Sequence, residues 1–389
     1  MDKNVKQLHA ERLKRLNTAL ANGKPDRVPI FSQTAEYVYT IQGLKPIEGY
    51  ENPDIMMQAY RNFYSEVYFD GFQIPVISKG KRDMSRILGG GTSEFLPDGS
   101  FQTKPNSINV MDPSEYPELI KSPHRFFVEK IMPRRFKLMA EDYFPGKEVK
   151  FIEAVKSFLD SGKPTKPVTE MLVNELGLVE LAQGGMYNPV DIILDFLRDF
   201  RGMAQDVKRC PELVRDAGLA IMDWLLEVAT MNPPNPDKFI TIPMHLPTFL
   251  RPKDFEKVYW PSWKKFAEEL TSRGYKIFYL FEGNYEHLHE YIQELPKNKV
   301  AAMFEHDDLQ LVKKNLGDTL CIVGGMPTSM LYYKTKEECI AHVKHVIDTV
   351  AIDGGFILSA DKPMLSPTDG TLENFKAVNE FAHNYGVYS

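Results

Sequence analysis

The side chains best suited to chemistry recur at one kind of position in this 389-residue chain, just after short apolar runs in its second half. They are His245, Glu282, the run Glu305-His306-Asp307-Asp308, and Asp361; the pair Gly324-Gly325, ahead of Met326-Pro327, occupies a fifth such position. Imidazoles and carboxylates of this kind hold zinc or a similar divalent ion, and a catalytic site leaves one coordination position open. Without a metal the same groups serve as general acids and bases. A strand-end acid also caps the helix that follows, so Asp307 or Asp308 can be a cap and nothing more. Nucleophilic catalysis has little to build on. There is no Gly-x-Ser-x-Gly elbow, and Cys321 within a strand, Cys339 within a helix and Cys210 beside Pro211 read as structural thiols. His287 and His289 stand two apart, do not share a helical face, and read as a solvated helix rather than a metal pair. His342 and His345 are expected on an exposed helix face.

These residues need a scaffold that brings them together. Apolar runs at 238–245, 276–281, 299–304, 319–323 and 356–360 read as strands, and they alternate with helical patterns at 253–273, 285–294, 308–315, 336–350 and 372–383. Five strand–helix units with nearly all-apolar strands predict a parallel sheet covered on both faces, either a (β/α)8 barrel or an open doubly wound sheet. An open nucleotide-binding sheet wants a glycine-rich first turn. Gly89-Gly90-Gly91 follows no clear strand and precedes SEFLPDG (93–99), which reads as turn and hairpin chemistry. Residues 1–22 predict a surface helix, 28–31 the first barrel strand and 72–77 another. Residues 84–165 read as an irregular excursion over one barrel face, and 170–230 as helical, with helices at 189–201 and 211–228. In such folds the strand-to-helix loops converge at the C-terminal rim, so the five positions above share one face. Phe31, Tyr37, Tyr39, Tyr279, Phe281, Tyr285 and Phe304 flank that rim; the core is the default place for each, and a few at the rim suit a flat, apolar substrate.

Composition narrows the classes. The net charge of −6 argues against nucleic acid as the main partner, and the basic spots at 79–82 and 133–135 read as solvated loops. No apolar run approaches the ~18 residues of a membrane span. The charged N-terminus lacks the pattern of a signal peptide, so a cytoplasmic location is expected. Three cysteines with no Cys-x-x-Cys pair exclude a disulfide scaffold and a cysteine-rich zinc site.

In GKPDRVPIF (23–31), and then in YLFEGNYEHL (279–288), MFEHDDLQLVKKNLGD (303–318), CIVGGMPTSML (321–331) and DGGFILSADKPM (353–364), the chain resembles the uroporphyrinogen decarboxylase-like proteins, strand end by strand end and in order. The resemblance implies an α/β fold, a (β/α)8 TIM barrel. It would be a single domain over 1–389, with an N-terminal helix over 1–22 and an insertion over about 84–165. True decarboxylases of the family carry an arginine-rich segment near the first strand for substrate carboxylates. Here PIFSQTAEYVYT (29–40) has no arginine, so a multi-carboxylate tetrapyrrole lacks its counter-charges.

The other branch is the corrinoid-linked methyltransferases. In thiol-methylating members zinc is held by a His-x-Cys-Gly-Asn strand end and a later cysteine. Leu280-Phe281-Glu282-Gly283-Asn284 and Asp361 stand at those places here, so carboxylates replace both thiolates. Carboxylate-held zinc is a harder Lewis acid, suited to oxygen. The chain is thus similar to the first methyltransferase of anaerobic aryl O-demethylase systems, which moves a methyl group from a methoxylated aromatic to the cobalamin of a separate corrinoid protein. The resemblance implies zinc at Glu282, His306, Asp361 and Glu305. It implies catalysis by Glu282, His306 and His245, with His245 or an unligated His306 donating a proton, and substrate contacts at Tyr285, Phe304, Asp307 and Met326. The implied partners are a corrinoid protein and an aromatic methyl ether, with no nucleic acid or membrane, on a monomer or homodimer. Open alternatives are corrinoid methyl transfer with a thiol, amine or folate, a metal-free decarboxylase or lyase, and a barrel that only docks a corrinoid partner.

Overall fold

The computed structural model describes residues 2–74, 77–104, 107–140 and 146–388. Its parallel strands are β1 (Phe31–Ser32), β2 (Gly71–Phe72), β3 (Val179–Glu180, continuing as Ala182–Gly185), β4 (Phe239–Met244), β5 (Lys276–Phe281), β6 (Val300–Phe304), β7 (Cys321–Met326) and β8 (Phe356–Ala360). β1 pairs with β2 and β2 with the first part of β3; the second part of β3 pairs with β4, and β4 to β8 follow in sequence order. The last strand returns to the first: Ile30 bridges Leu358, the Leu358 N–H donates to Pro29 O at 2.9 Å, and Ser359 Oγ donates to Phe31 O at 2.9 Å. That closure makes the fold a (β/α)8 TIM barrel rather than an open sheet.

Side chains alternate along each strand, and the alternation sorts them. Phe31, Phe239, Phe278, Leu280, Ala301, Met303, Cys321, Val323 and Ile357 form one buried cluster inside the barrel, closed by Leu16, Ala19 and Leu20 of α1 (Lys3–Leu20). The N-terminal helix is therefore a plug for the lumen. Its Arg15 is ion-paired with the fully buried Asp70, which also accepts from Ile30 N at 2.8 Å and Tyr68 Oη at 2.8 Å. The opposite parity, including Ile242, Met244, Tyr279, Phe281, Phe304 and Leu358, joins the larger core beneath the helices. Continuing the lumen parity past the strand ends reaches His245, Glu282, Glu305 and Asp361, above the last packed layer.

The structure departs from the sequence-based expectations where local chemistry is special. The helix expected over 253–273 is two, Pro252–Val258 and Trp260–Ser272, because Pro261 lacks an N–H and its ring crowds the preceding turn. The 285–294 helix is reduced to a 3-10 turn, Glu286–Leu288, and the short helix His289–Ile292. β7 runs on to Met326 because Gly324 and Gly325, with φ of +134° and +93°, keep pairing with Leu358 and Ser359. β3 lies in the stretch expected to be helical. Of the strand expected over 72–77, Pro75 and Val76 lie outside the described residues, and a helix (Ile77–Leu88) begins at Ile77. The excursion after it holds the hairpin Ser93–Phe95/Phe101–Thr103, where SEFLPDG predicts one, and the helix Lys147–Asp160. Neither basic spot is a solvated loop. Lys79 and Arg82 pair with Asp83 at 2.8 and 3.1 Å, Lys81 is half-buried, Arg134 pairs with Glu115 at 2.6 Å, and Arg135 donates to Phe196 O. No helix among the described residues is long and apolar enough to cross a membrane.

Candidate active site

A cleft of about 960 Å³ opens at the C-terminal rim of the barrel, and His245 lines it together with Asp195, Glu282, Glu305 and His306. His245 is the first residue after β4. Two acids one helical turn apart grip it from the segment after β3. Asp191, in the helix Pro189–Ile193, is fully buried and accepts from the His245 N–H at 3.2 Å, the Leu246 N–H at 3.0 Å and Tyr259 Oη at 2.7 Å. It fixes the main chain leaving β4, and Tyr285 Oη adds a bond to Met244 O at 2.7 Å. Asp195 fixes the ring, with Oδ2 at 2.7 Å from Nδ1. The ring's other nitrogen, Nε2, faces Glu282 Oε1 at 3.5 Å. That separation is long for a hydrogen bond, so an Nε2–H is available to a ligand.

This surrounding favours the charged form of His245. Burial opposes the charge, but the hydrogen bond to Asp195, the nearby Glu282 carboxylate and the fields of Asp195 and Asp191 outweigh it, and the pKa is pushed up to about 11. Asp191 moves upward as well, because complete burial disfavours its carboxylate more than the nearby His245 charge favours it.

The backbone that presents Asp195 is unusual. Leu194–Arg198 forms a π turn, and Asp199 after it has φ of +55°. Both features concentrate at functional sites, where surrounding contacts must hold them. Here Arg198 is locked by Asp206 at 2.6 and 3.1 Å and by Asn109 at 3.0 Å, and Asp199 Oδ1 accepts from the Gly202 N–H at 2.8 Å. Sequence reasoning did not single out Asp191 or Asp195. Their signal was two acids at i, i+4 inside an otherwise apolar helical run, NPVDIILDFL (188–197).

The structure places His245, Glu282, Glu305 and His306 on one cleft, with His245 beside Glu282, and sets Asp361, Phe304, Met326, Asp307 and Tyr285 apart from it. Glu305 Oε2 accepts from the Gly283 N–H at 2.9 Å, tying the β5 loop to β6. His306 is 64 % exposed at the cleft edge, with Nε2 at 4.0 Å from Glu305 Oε1. Asp361 accepts from the Thr328 N–H at 3.0 Å; its burial raises its pKa, and the bonds from Thr328 oppose that. With Phe304, Met326 and Asp307 it borders a smaller cavity of about 230 Å³, which Glu305 also lines. Phe304 and Met326 have the outward parity that places them there. Tyr285 and Asp307, expected at substrate, are built into the wall. Tyr285 stacks on Phe281 at 4.5 Å, and Asp307 accepts from the Tyr285 N–H at 2.9 Å and from His289 Nε2 at 3.1 Å. His289 is therefore buried, not solvated, and His342 is half-buried with Nε2 at 3.1 Å from Gly325 O. Asp308 is the helix cap, accepting from the Gln310 N–H at 2.8 Å.

Two further points bear on the chemistry. Among the described residues no three His, Cys, Asp or Glu side chains gather closely enough to hold a metal ion; of the expected zinc donors Glu282 lies by His245, Glu305 is bound to the Gly283 N–H, Asp361 to the Thr328 N–H and His306 stands exposed, so as arranged they do not fit one. The end of β1 is neutral. Ser32, Thr34 and Tyr64 share hydroxyl hydrogen bonds of 2.8 to 3.0 Å, and Gln33 Nε2 lies 3.2 Å from Ser359 Oγ. Burial raises the thiol pKa of Cys210, Cys321 and Cys339, consistent with structural roles.

Known proteins resemble this geometry at the level of the whole fold. A methyltransferase from Methanosarcina mazei has 16 % sequence identity and a TM-score of 0.61, over 96 % of this chain and 98 % of that one. No curated protein sequence matches the chain. The profile of the family "Uroporphyrinogen decarboxylase (URO-D)" matches residues 154–385, from within the helix Lys147–Asp160 to the closing helix, and the chain belongs to that family.

Proposed function

We propose that this protein is a methyltransferase that moves a methyl group from an ether oxygen, in a methoxylated aromatic, to a corrinoid carried by a partner protein. The observation that carries the reading is the Asp195–His245–Glu282 row, an imidazole held at Nδ1 by one carboxylate with Nε2 beside a second at a large rim cleft. The neutral end of β1 supports it against decarboxylation of a multi-carboxylate substrate. The M. mazei protein of the same fold, named a methyltransferase, supports the reaction class.

The reduced corrinoid, when docked, supplies the nucleophile that takes the methyl group. The chain's own residues deal with the leaving oxygen. As the methyl carbon–oxygen bond breaks, its electron pair stays on oxygen, and the His245 Nε2–H donates a proton to it. A phenolate, whose conjugate acid has an ordinary pKa of about 10, is basic enough to take that proton. Asp195 holds Nδ1 and stabilises the ring in the charged state that precedes transfer. Glu282, at 3.5 Å from Nε2 and partly exposed, is placed to relay a proton back from solvent. Glu305 keeps the Gly283 backbone, and with it the Glu282 loop, in register with β6. Because the acids at the rim do not gather around one ion, no step is assigned to zinc.

The test is methyl transfer to a reduced corrinoid protein, assayed with methoxybenzenes, methylamines and methyl thiols in parallel. Transfer from the methoxybenzenes alone is expected. Carbon dioxide release without corrinoid, or preference for an amine or thiol, would contradict the reading.

A further inference from the structure

From the cleft's far wall we infer a substrate-recognition subsite formed by Phe200, Arg201 and Phe249, which selects a planar aromatic carrying an anionic substituent; the inference rests on the function proposed above and names its substrate class more closely. Three observations converge. First, Asp199, held at φ +55°, breaks the run between the π turn and the helix Asp199–Arg209, and the next two residues, Phe200 and Arg201, line the same cleft as His245. A non-glycine residue held in that region is costly, and here it is fixed from both sides by the Arg198–Asp206 pair and by the Asp199 cap on Gly202.

Second, Phe200 and Phe249 meet edge to face at 5.1 Å and 80° while remaining 53 % and 67 % exposed. Two exposed aromatic rings lining one cleft form an apolar platform of the kind that flat ligands cover. Third, Arg201 is the lone Lys or Arg among the described residues lining the cleft, and it makes no hydrogen bond or ion pair among the described residues. The acids that line the cleft have other neighbours: Asp195 and Glu282 face His245, Asp199 accepts from the Gly202 N–H, and Glu305 accepts from the Gly283 N–H. A guanidinium left over beside an aromatic platform is the partner of a carboxylate, which it binds through two parallel N–H donors. A substrate lying on the two rings would place its anionic group at Arg201 and its methoxy group toward His245.

The probes are 4-methoxybenzoate and the neutral 4-methoxybenzyl alcohol, with binding measured by calorimetry and methyl transfer measured alongside. Arg201→Gln should raise the Kd of 4-methoxybenzoate about tenfold or more, the loss expected of a charge-assisted hydrogen bond, and leave that of the alcohol within about twofold. Arg201→Lys should recover part of the loss. Phe249→Ala should weaken both ligands. Equal loss of the two ligands in Arg201→Gln, no loss of either, or no binding of either to the wild-type protein would overturn the inference. Arg201-dependent binding of the anion with no methyl transfer in any condition would leave this subsite standing and remove the proposed function instead.

Discussion

Replacing Asp195 with Asn tests the electrostatics of the site without removing its imidazole. The amide can still accept a hydrogen bond from Nδ1 but no longer carries the charge that favours the imidazolium. A charge-assisted bond of 2.7 Å with both partners mostly buried contributes about 1.5–3 kcal/mol, or about one to two pH units in the ionisation of His245. The wild-type value of about 11 should therefore fall to about 9–10. Glu282→Gln should do less, because Glu282 is 3.5 Å away and 46 % exposed, so solvent screens it. The assay is NMR titration of protein with 15N-labelled histidine, with the His245 signal assigned from His245→Gln. Stability should follow the same charge. A histidine whose pKa is raised on folding stabilises fully below its ordinary 6.5, and that contribution is lost as pH rises toward 11. The wild-type protein should thus weaken progressively between those values, and Asp195→Asn should have less to lose. A wild-type His245 titrating near 6.5, or a larger effect from Glu282 than from Asp195, would refute the reasoning.

Other substitutions probe the supports. Asp206→Ala leaves the guanidinium of Arg198 buried without its carboxylate and should cost about 3–5 kcal/mol in urea unfolding. Asp307→Ala orphans the His289 Nε2–H and the Tyr285 N–H, so it should lower stability by about 1–3 kcal/mol for each lost partner; 4-methoxybenzoate should bind as before, because Asp307 belongs to the wall. Gly354→Ala forces a side chain onto a backbone with φ of +81° and puts its Cβ 2.2 Å from Gly23 O, so a loss well above about 1 kcal/mol is expected in thermal or urea unfolding.

The second half of the fold was legible because each β/α unit there obeys its local rules. β5 and β8 match the apolar runs residue for residue, and the helix Lys336–Val350 carries both its apolar stripe and its Thr335 cap. The first half hid its strands. β1 and β2 are two residues each, and β3 reads VELAQGG (179–185), too short and too mixed to show a strand period. Among site residues, strand-end position alone could not separate rim from wall. Strand parity does: His245, Glu282, Glu305 and Asp361 continue the lumen face, whereas Phe304 and Met326 continue the outer one. Parity still does not make neighbours converge, since Asp361 turns aside to the Thr328 N–H. Asp191 and Asp195 escaped notice because they precede β4 by some fifty residues, and only closure of the barrel brings their helix to His245.

Proton donation by His245 to the departing oxygen is tested most directly by varying the leaving group. Single-turnover methyl transfer from 4-nitroanisole and from anisole to the reduced corrinoid protein should be compared in the wild type and in His245→Gln. A nitrophenolate leaves readily without a proton, so the variant should keep most of its rate with 4-nitroanisole and lose about a hundredfold or more with anisole. Equal losses with the two ethers, or none with either, would contradict the account.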